Sequence, residues 1–202
     1  MGPEPFVQAM EAVPNFDLVV GGRAYDPAPY VAFANFCLRR RVSNSEGIIT
    51  SQVLGGFMQM GKIMECGASC AIPKSAPAMA ILYLNGTFDI RPLSPGSKCT
   101  PLSVAAHTLY EKARPDILHG PGGYLDVKDS KYEQLEDGKT VRVRGARFFT
   151  SEAQGVPYQI KLEAAKATGF RTMYMGSMKD RKELLLCASP RAMILTKCLQ
   201  LS

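Results

Sequence analysis

The stretch Met58-Gln-Met-Gly-Lys-Ile-Met-Glu-Cys-Gly67 ends an apolar run on a carboxylate and a thiol, with Cys70 close behind. Val53, Phe57, Met60 and Met64 recur at helical spacing, which places Glu65 at a helix C-terminus. There the macrodipole opposes a negative charge by about 0.3–1 kcal/mol at an exposed site, so helix stability does not account for Glu65. Burial among Met60, Met64 and Cys66 would raise its pKa by desolvation and suit it to proton transfer. The plainer alternative is a Glu bonding backbone donors in the Gly67 turn. The same helix-end field disfavours a thiolate at Cys66, even with Lys74 nearby, so Cys66 and Cys70 read as packing thiols.

Two further sets complete the candidate chemistry. Arg23 and Asp26 follow Gly21-Gly22; Arg23 would clamp a carboxylate or phosphate through its planar fork, with Asp26 orienting it or acting as base, unless the two only pair with each other. His107 and Glu111 stand four apart in an apparent helix, where Glu111 would fix the imidazole tautomer for proton transfer, unless both lie on a solvated face. The expected catalytic residues are therefore Glu65, His107, Asp26 and Glu111, with Arg23, Phe57, Met60, Cys66 and Lys74 at the substrate. His119, in His-Gly-Pro-Gly-Gly, reads as a loop residue. With two histidines, six cysteines and no CxxC pair in the chain, no zinc site is expected, nor any other metal or cofactor.

These residues need elements to hold them. Phe16–Val20 reads as a buried strand and Pro27 to about Cys37 as a Pro-opened helix. Leu38–Gln52 reads as a polar surface connection, followed by the glycine-rich helix. Ala78–Leu84 and Thr87–Pro92 form a hairpin around a type I′ Asn85-Gly86 turn, and Tyr132–Leu135 pairs with Thr140–Phe148 around Asp137-Gly138. Thr100 caps a helix running to Pro115, with Leu102, Ala105, Ala106, Leu109 and Ala113 on its packed face. Strands are expected at Tyr158–Leu162 and Arg171–Met175. A terminal helix is expected over Asp180–Gln200, opened by a capping box at Asp180–Glu183 and interrupted by Pro190. The fold class is α/β: one domain over 1–202 with a mixed sheet, antiparallel hairpins and packed helices.

Composition narrows the function classes. The chain has 202 residues, 46% hydrophobic and 21% charged, which fits a globular domain with a sizeable core. No apolar run approaches the roughly 20 residues of a membrane span, and the N-terminus lacks a signal-peptide pattern. Reduced thiols in the cytoplasm are expected. The net charge of +6 is scattered and lacks interleaved aromatics, so anionic small molecules suit it better than nucleic acid.

Leu54–Gly67, Leu102–Lys112, Gly120–Asp126, Val141–Phe148, Tyr158–Glu163 and Val19–Pro27 together resemble the acyclic terpene utilisation family. The resemblance covers about 16–180 and leaves a divergent tail at 181–202. It implies the second half of the family domain standing alone, a cytosolic α/β protein that handles branched isoprenoid acids, usually as CoA thioesters. Three readings follow. One is a cofactor-independent hydratase, lyase or isomerase acting by acid-base chemistry on a branched or isoprenoid acyl or carboxylate substrate. Another is a pericyclase-like cyclase or isomerase of specialised metabolism that works by shape and electrostatics, and the third is a non-catalytic assembly subunit. A homo-oligomer is expected, with no membrane partner.

Overall fold

The computed structural model describes residues 1–42, 49–160, 162, 166–169, 172–173, 185–189 and 192–196. Their contacts divide into two compact units, Met1–Lys161 and Leu162–Ser202.

The first unit begins with helices α1 (Glu4–Ala12), α2 (Ala28–Arg41) and α3 (Ser51–Met64). Short strand β1 (Ala71–Ile72) precedes the hairpin β2 (Ala78–Leu82) and β3 (Phe88–Pro92); β4 (Lys98–Cys99) then leads into α4 (Pro101–Thr108). Strands β5 (Ile117–Gly120), β6 (Gly123–Asp126), β7 (Lys131–Gln134), β8 (Val141–Arg144) and β9 (Arg147–Thr150) complete it. They form sheets β1-β4, β2-β3-β8-β7 and β5-β6-β9, and every pairing is antiparallel. The protein is thus α/β, but its described sheets are antiparallel where a mixed sheet was expected, built from hairpins and from the longer-range pairs β1–β4, β3–β8 and β6–β9.

Helix α3 is the centre of this unit, packed against α2, α4, β2, β6 and β9. Phe57 and Ile63 on α3 meet Phe88 and Ile90 of β3 and Val141 and Val143 of β8 in one buried cluster. Two glycines let the backbones close. A Cβ on Gly56 would stand 1.8 Å from the Gly86 carbonyl oxygen, and Gly86 itself has φ 80. Gly56→Ala is therefore expected to destabilise the unit by about 3 kcal/mol, because the obstructing atoms are backbone and cannot rotate away; urea denaturation measures it.

Several expectations are corrected. Asn85 does not take a positive φ, and the Gly86 N–H donates to the Tyr83 carbonyl at 3.0 Å. The β2–β3 connection is a type I turn closed by a left-handed glycine, not a type I′ turn. Phe16–Val20 is irregular rather than a buried strand, with Leu18 and Val20 exposed, and no described strand pairs with its backbone. Tyr158–Ile160 is likewise not a strand; the Gly122 N–H bonds to the Gln159 carbonyl at 3.0 Å, without a ladder. His119 lies on β5, not in a loop.

Helix α4 carries the expected Thr100 cap but stops at Thr108, well before Pro115, and buries Val104 and Thr108 while Leu102 is exposed. Thr108 is the reason for both differences. Its hydroxyl donates to the Val104 carbonyl at 3.1 Å and accepts from the Tyr132 hydroxyl at 3.2 Å, and Tyr132 in turn accepts from the Gln59 amide at 2.9 Å. This buried polar network fixes which face of α4 turns inward, overriding the apolar stripe.

In the second unit, β10 (Thr172–Met173), β11 (Leu185–Ser189) and β12 (Ala192–Thr196) form an antiparallel sheet. The terminal helix is thereby replaced by a hairpin, registered from Leu185 opposite Thr196 to Ser189 opposite Ala192. Pro190 falls between the strands in sequence, where a helix interior would lose about 3 kcal/mol to proline. The Asp180–Glu183 capping box and residues 43–48 of the Leu38–Gln52 connection lie outside the described residues. No helix among the described residues is long and apolar enough to cross a membrane.

Candidate functional site

Helix α3 ends with a charged pair drawn out of water. Glu65 is its C-cap residue, with its N–H bonded to the Gly61 carbonyl at 2.9 Å. Its carboxylate accepts from the Lys62 ammonium one turn back, and the two side chains are only 8% and 4% exposed. Lys62 also lies 5.7 Å from the centre of the Tyr110 ring, a cation–π contact. Burial raises the pKa of Glu65 above the ordinary carboxylate value, and Asp26 adds to the rise. Lys62, through its hydrogen bond and charge, and Lys112 reverse only part of it. The carboxyl thus stands nearer to sharing its proton at neutral pH than an exposed Glu would.

Asp89, by contrast, is a buried carboxylate with a structural role. Burial pushes its pKa up, but hydrogen bonds from Arg142, at 2.7 and 2.8 Å, and from Tyr83, at 2.8 Å, outweigh that and hold it below the usual range. Asp89 therefore stays ionised and ties β3 to β8. Of these two buried carboxylates, only Glu65 has its pKa raised.

Around Glu65 the chain gathers most of the residues expected from the sequence. The loop before α2 brings Asp26 and Tyr25. Burial first, then the charges of Glu65 and Asp26, pushes the Tyr25 hydroxyl up to about 12, so it remains a hydrogen-bond donor at neutral pH. Tyr30, on α2, is raised by burial, Glu65 and Cys66. Lys112 stands 5.5 Å from the centre of the Tyr25 ring. Arg23 contacts Asp26 at 3.5 Å, both largely exposed, so this pair lies at the outer edge of the group.

From α4, His107 stacks on Tyr110 with ring centres 5.5 Å apart, and its Nε2 is buried without a hydrogen-bond partner among the described residues. Burial, with Lys62 and Lys74, lowers its pKa, so the imidazole is neutral at pH 7. The Cys66 thiol is raised by burial and then by Glu65, with Glu111 and Asp26 adding to it, which fits a packing thiol better than a nucleophile. Glu111 is not on the His107 helix. It sits beyond its end at φ 59, exposed, so the i, i+4 couple does not form. Cys70 points elsewhere, its sulfur 3.9 Å from that of Cys99.

Two cavities flank this group. One, of about 710 Å³, is apolar and is lined by Tyr30, Phe33, Phe57, Met60, Met64 and Leu82 among others. The expected Phe57 and Met60 are in its wall, and Tyr30 belongs both to that wall and to the electrostatic surroundings of Glu65. The other, of about 340 Å³, is lined by Cys66, Ser69, Lys74, His107 and Tyr110 among others. Tyr30 is in the wall of the apolar chamber and Glu65 follows Met64 of that wall, whereas His107 is in the wall of the other cavity. Among the described residues, no three His, Cys, Asp or Glu side chains come together to hold a metal ion.

Sequence reasoning missed Lys62, Tyr25, Tyr30 and Tyr110. A lysine inside a helix reads as solvated. The available signal was that Gly55, Gly56 and Gly61, spaced around α3, leave it no free face, so any charge on its last turn had to be buried and paired.

A family model described as acyclic terpene utilisation family protein AtuA matches residues 1–183, further toward the N-terminus than the sequence resemblance reached, and ties the chain to acyclic terpene utilisation. No curated protein and no solved structure matches.

Proposed function

We propose, from the premise that this chain belongs to the acyclic terpene utilisation family, that it is a lyase or isomerase acting on a branched, isoprenoid acyl or carboxylate substrate by acid-base chemistry at Glu65. The observation that carries this reading is the buried Lys62–Glu65 pair, its carboxyl raised by desolvation, on the helix end whose Met60 and Met64 line an apolar cavity of about 710 Å³. The branched chain occupies that cavity. The Glu65 carboxylate takes a proton from the saturated carbon next to the carbonyl or, where a double bond is conjugated with the carbonyl, from the carbon γ to it, and the C–H electrons pass into an enolate or dienolate. Tyr25 and Tyr30, protonated at neutral pH, donate hydrogen bonds to the enolate oxygen, while Lys62 balances the charge. Return of the proton at another carbon of the conjugated enolate isomerises the substrate; passage of that same proton from Glu65 to a departing β-hydroxyl releases water and leaves the unsaturated product, and the reverse hydrates it.

The cavity also favours a second reading, a cyclase in which wall shape holds one reactive conformer of a terpenoid. Phe33 distinguishes the two, because it is a wall residue that is 53% exposed and not part of the core. For the acid-base reaction, Phe33→Ala raises KM about tenfold with kcat unchanged, since only uniform binding is lost. A fall in kcat at unchanged KM, with Glu65→Gln still active, would favour the cyclase. Steady-state kinetics on geranic acid and its N-acetylcysteamine thioester read both outcomes.

A further inference from the structure

We propose that Arg41 fixes the far end of the substrate: the acyl chain in the apolar cavity carries a second, anionic group, a carboxylate, which pairs with the Arg41 guanidinium while the reacting carbonyl stands at Glu65. The inference rests on the reading of Glu65 as the proton-transferring group, and it makes the substrate bifunctional.

The cavity follows one helix. Tyr30, Phe33, Ala34, Cys37, Leu38 and Arg41 in its wall all belong to α2, at spacings that place them on one face. From Tyr30 to Arg41 that face runs about 16 Å along the helix axis. Tyr30 marks the reacting end, because the Glu65 charge acts on its hydroxyl, and Arg41 marks the other.

The two ends differ in charge. Burial raises the Tyr30 hydroxyl, and the Glu65 charge then adds to the rise, so an anion is disfavoured at that end. Burial also raises the Cys37 thiol, but there Arg41 and then Arg40 act against it. Asp17, the other charged residue of the wall, is not among the charges that act on Cys37. A substrate lying along this gradient presents a neutral carbonyl, as in a thioester, at Glu65 and its negative charge at Arg41.

Arg41 is the arginine left for this contact. Arg39 pairs with Glu11 at 3.2 Å, while Arg40 donates to the Pro14 carbonyl at 3.3 Å and lies over the Phe36 ring. Arg41 is exposed and makes no hydrogen bond, ion pair or ring contact among the described residues. The field of the helix C-terminus favours positive charge at all three positions, but of the three only Arg41 is in the wall of this cavity. Its planar fork suits a carboxylate.

An extended chain advances about 1.3 Å per carbon, so about twelve carbons span that face. The test is calorimetric binding of two saturated N-acetylcysteamine thioesters, one of dodecanoic acid and one of dodecanedioic acid with its second carboxylate free. They differ only at the far end, and neither has a double bond or hydroxyl to be isomerised or lost. Wild-type protein is expected to bind the carboxylated thioester about tenfold more tightly than the other. Arg41→Gln should bind the two alike, and Arg41→Lys, which keeps the charge without the fork, should retain part of the preference. The corresponding thioesters of hexanoic and hexanedioic acids cannot reach both ends and should show a smaller preference.

Equal affinities for the longer pair in the wild type, a preference that survives Arg41→Gln, or the same preference for the shorter pair overturns the proposal. These titrations read binding and not turnover. Loss of the preference with hydrogen exchange at Glu65 intact therefore counts against Arg41 alone, and loss of exchange with the preference intact counts against Glu65 alone.

Discussion

Replacing Lys62 by Met is expected to lower the unfolding free energy by about 3–5 kcal/mol, because it strands the Glu65 carboxylate, whose side chain is 8% exposed, without its partner. For a chain of this size that corresponds to a fall in Tm of about 6–20 °C. The loss also depends on pH in a defined direction. Burial already holds the Glu65 pKa above its unfolded value, and removing Lys62 takes away the first of the influences that lower it. A group with a raised folded pKa contributes stability that is fully present below the unfolded pKa and is lost as pH rises through the folded pKa. Lys62→Met should thus be closest to wild type in acid and fall progressively further below it toward neutral pH. Thermal melts at several pH values measure this, and the double variant Lys62→Met, Glu65→Met should recover much of the deficit, since it leaves no buried charge.

The second large effect is on turnover. Glu65→Gln keeps the shape and can still accept a hydrogen bond from the Lys62 ammonium through its amide oxygen, but it can neither take nor give a proton. It is expected to reduce kcat by about 10²–10⁴. In the wild type, activity should rise with pH as Glu65 ionises, on a limb displaced above the ordinary carboxylate range by burial. That limb should vanish in the variant, and initial rates across pH show whether it does.

How far these sites were legible from sequence depends on what fixes each element. Helix α3 was readable because its apolar period and its glycines express the same constraint, a helix enclosed by neighbours. The hairpins were readable because Asn85-Gly86 and Asp137-Gly138 set their reversals locally, though the β2–β3 turn type depended on where a single positive φ fell, and the expected Thr140–Phe148 strand breaks at Gly145, φ 101, into β8 and β9 of different sheets. Phe16–Val20 has strand composition, but a strand is a property of a pair, and pairing is not encoded within one segment. The end of α4 is set by the Thr108–Tyr132–Gln59 network, which joins residues far apart in the chain. No window centred on His107 could contain it, which is why Glu111 was expected on the helix.

The site shows the same division. Glu65 was conspicuous because it contradicts the field at its own helix end, a local argument that needs no tertiary information. Its grouping with Asp26, His107, Cys66 and Lys74 follows from α3 ending between the loop before α2 and the end of α4. Tyr25 and Tyr30 gain significance only from burial beside that carboxylate, since a tyrosine in sequence gives no sign that its hydroxyl will stay protonated where charge develops.

Proton transfer at Glu65 is tested most directly by exchange of substrate hydrogen with solvent. Geranic acid and its N-acetylcysteamine thioester, incubated with the protein in deuterium oxide and followed by proton NMR, report removal of hydrogen from the carbons γ to the carbonyl, the ones whose deprotonation gives a dienolate, whether or not net conversion occurs. Wild-type protein is expected to incorporate deuterium well above buffer, and Glu65→Gln to do so at least about 100-fold more slowly. Equal incorporation by the two proteins, or none above buffer with the wild type, would contradict the assignment of Glu65 as the proton-transferring group.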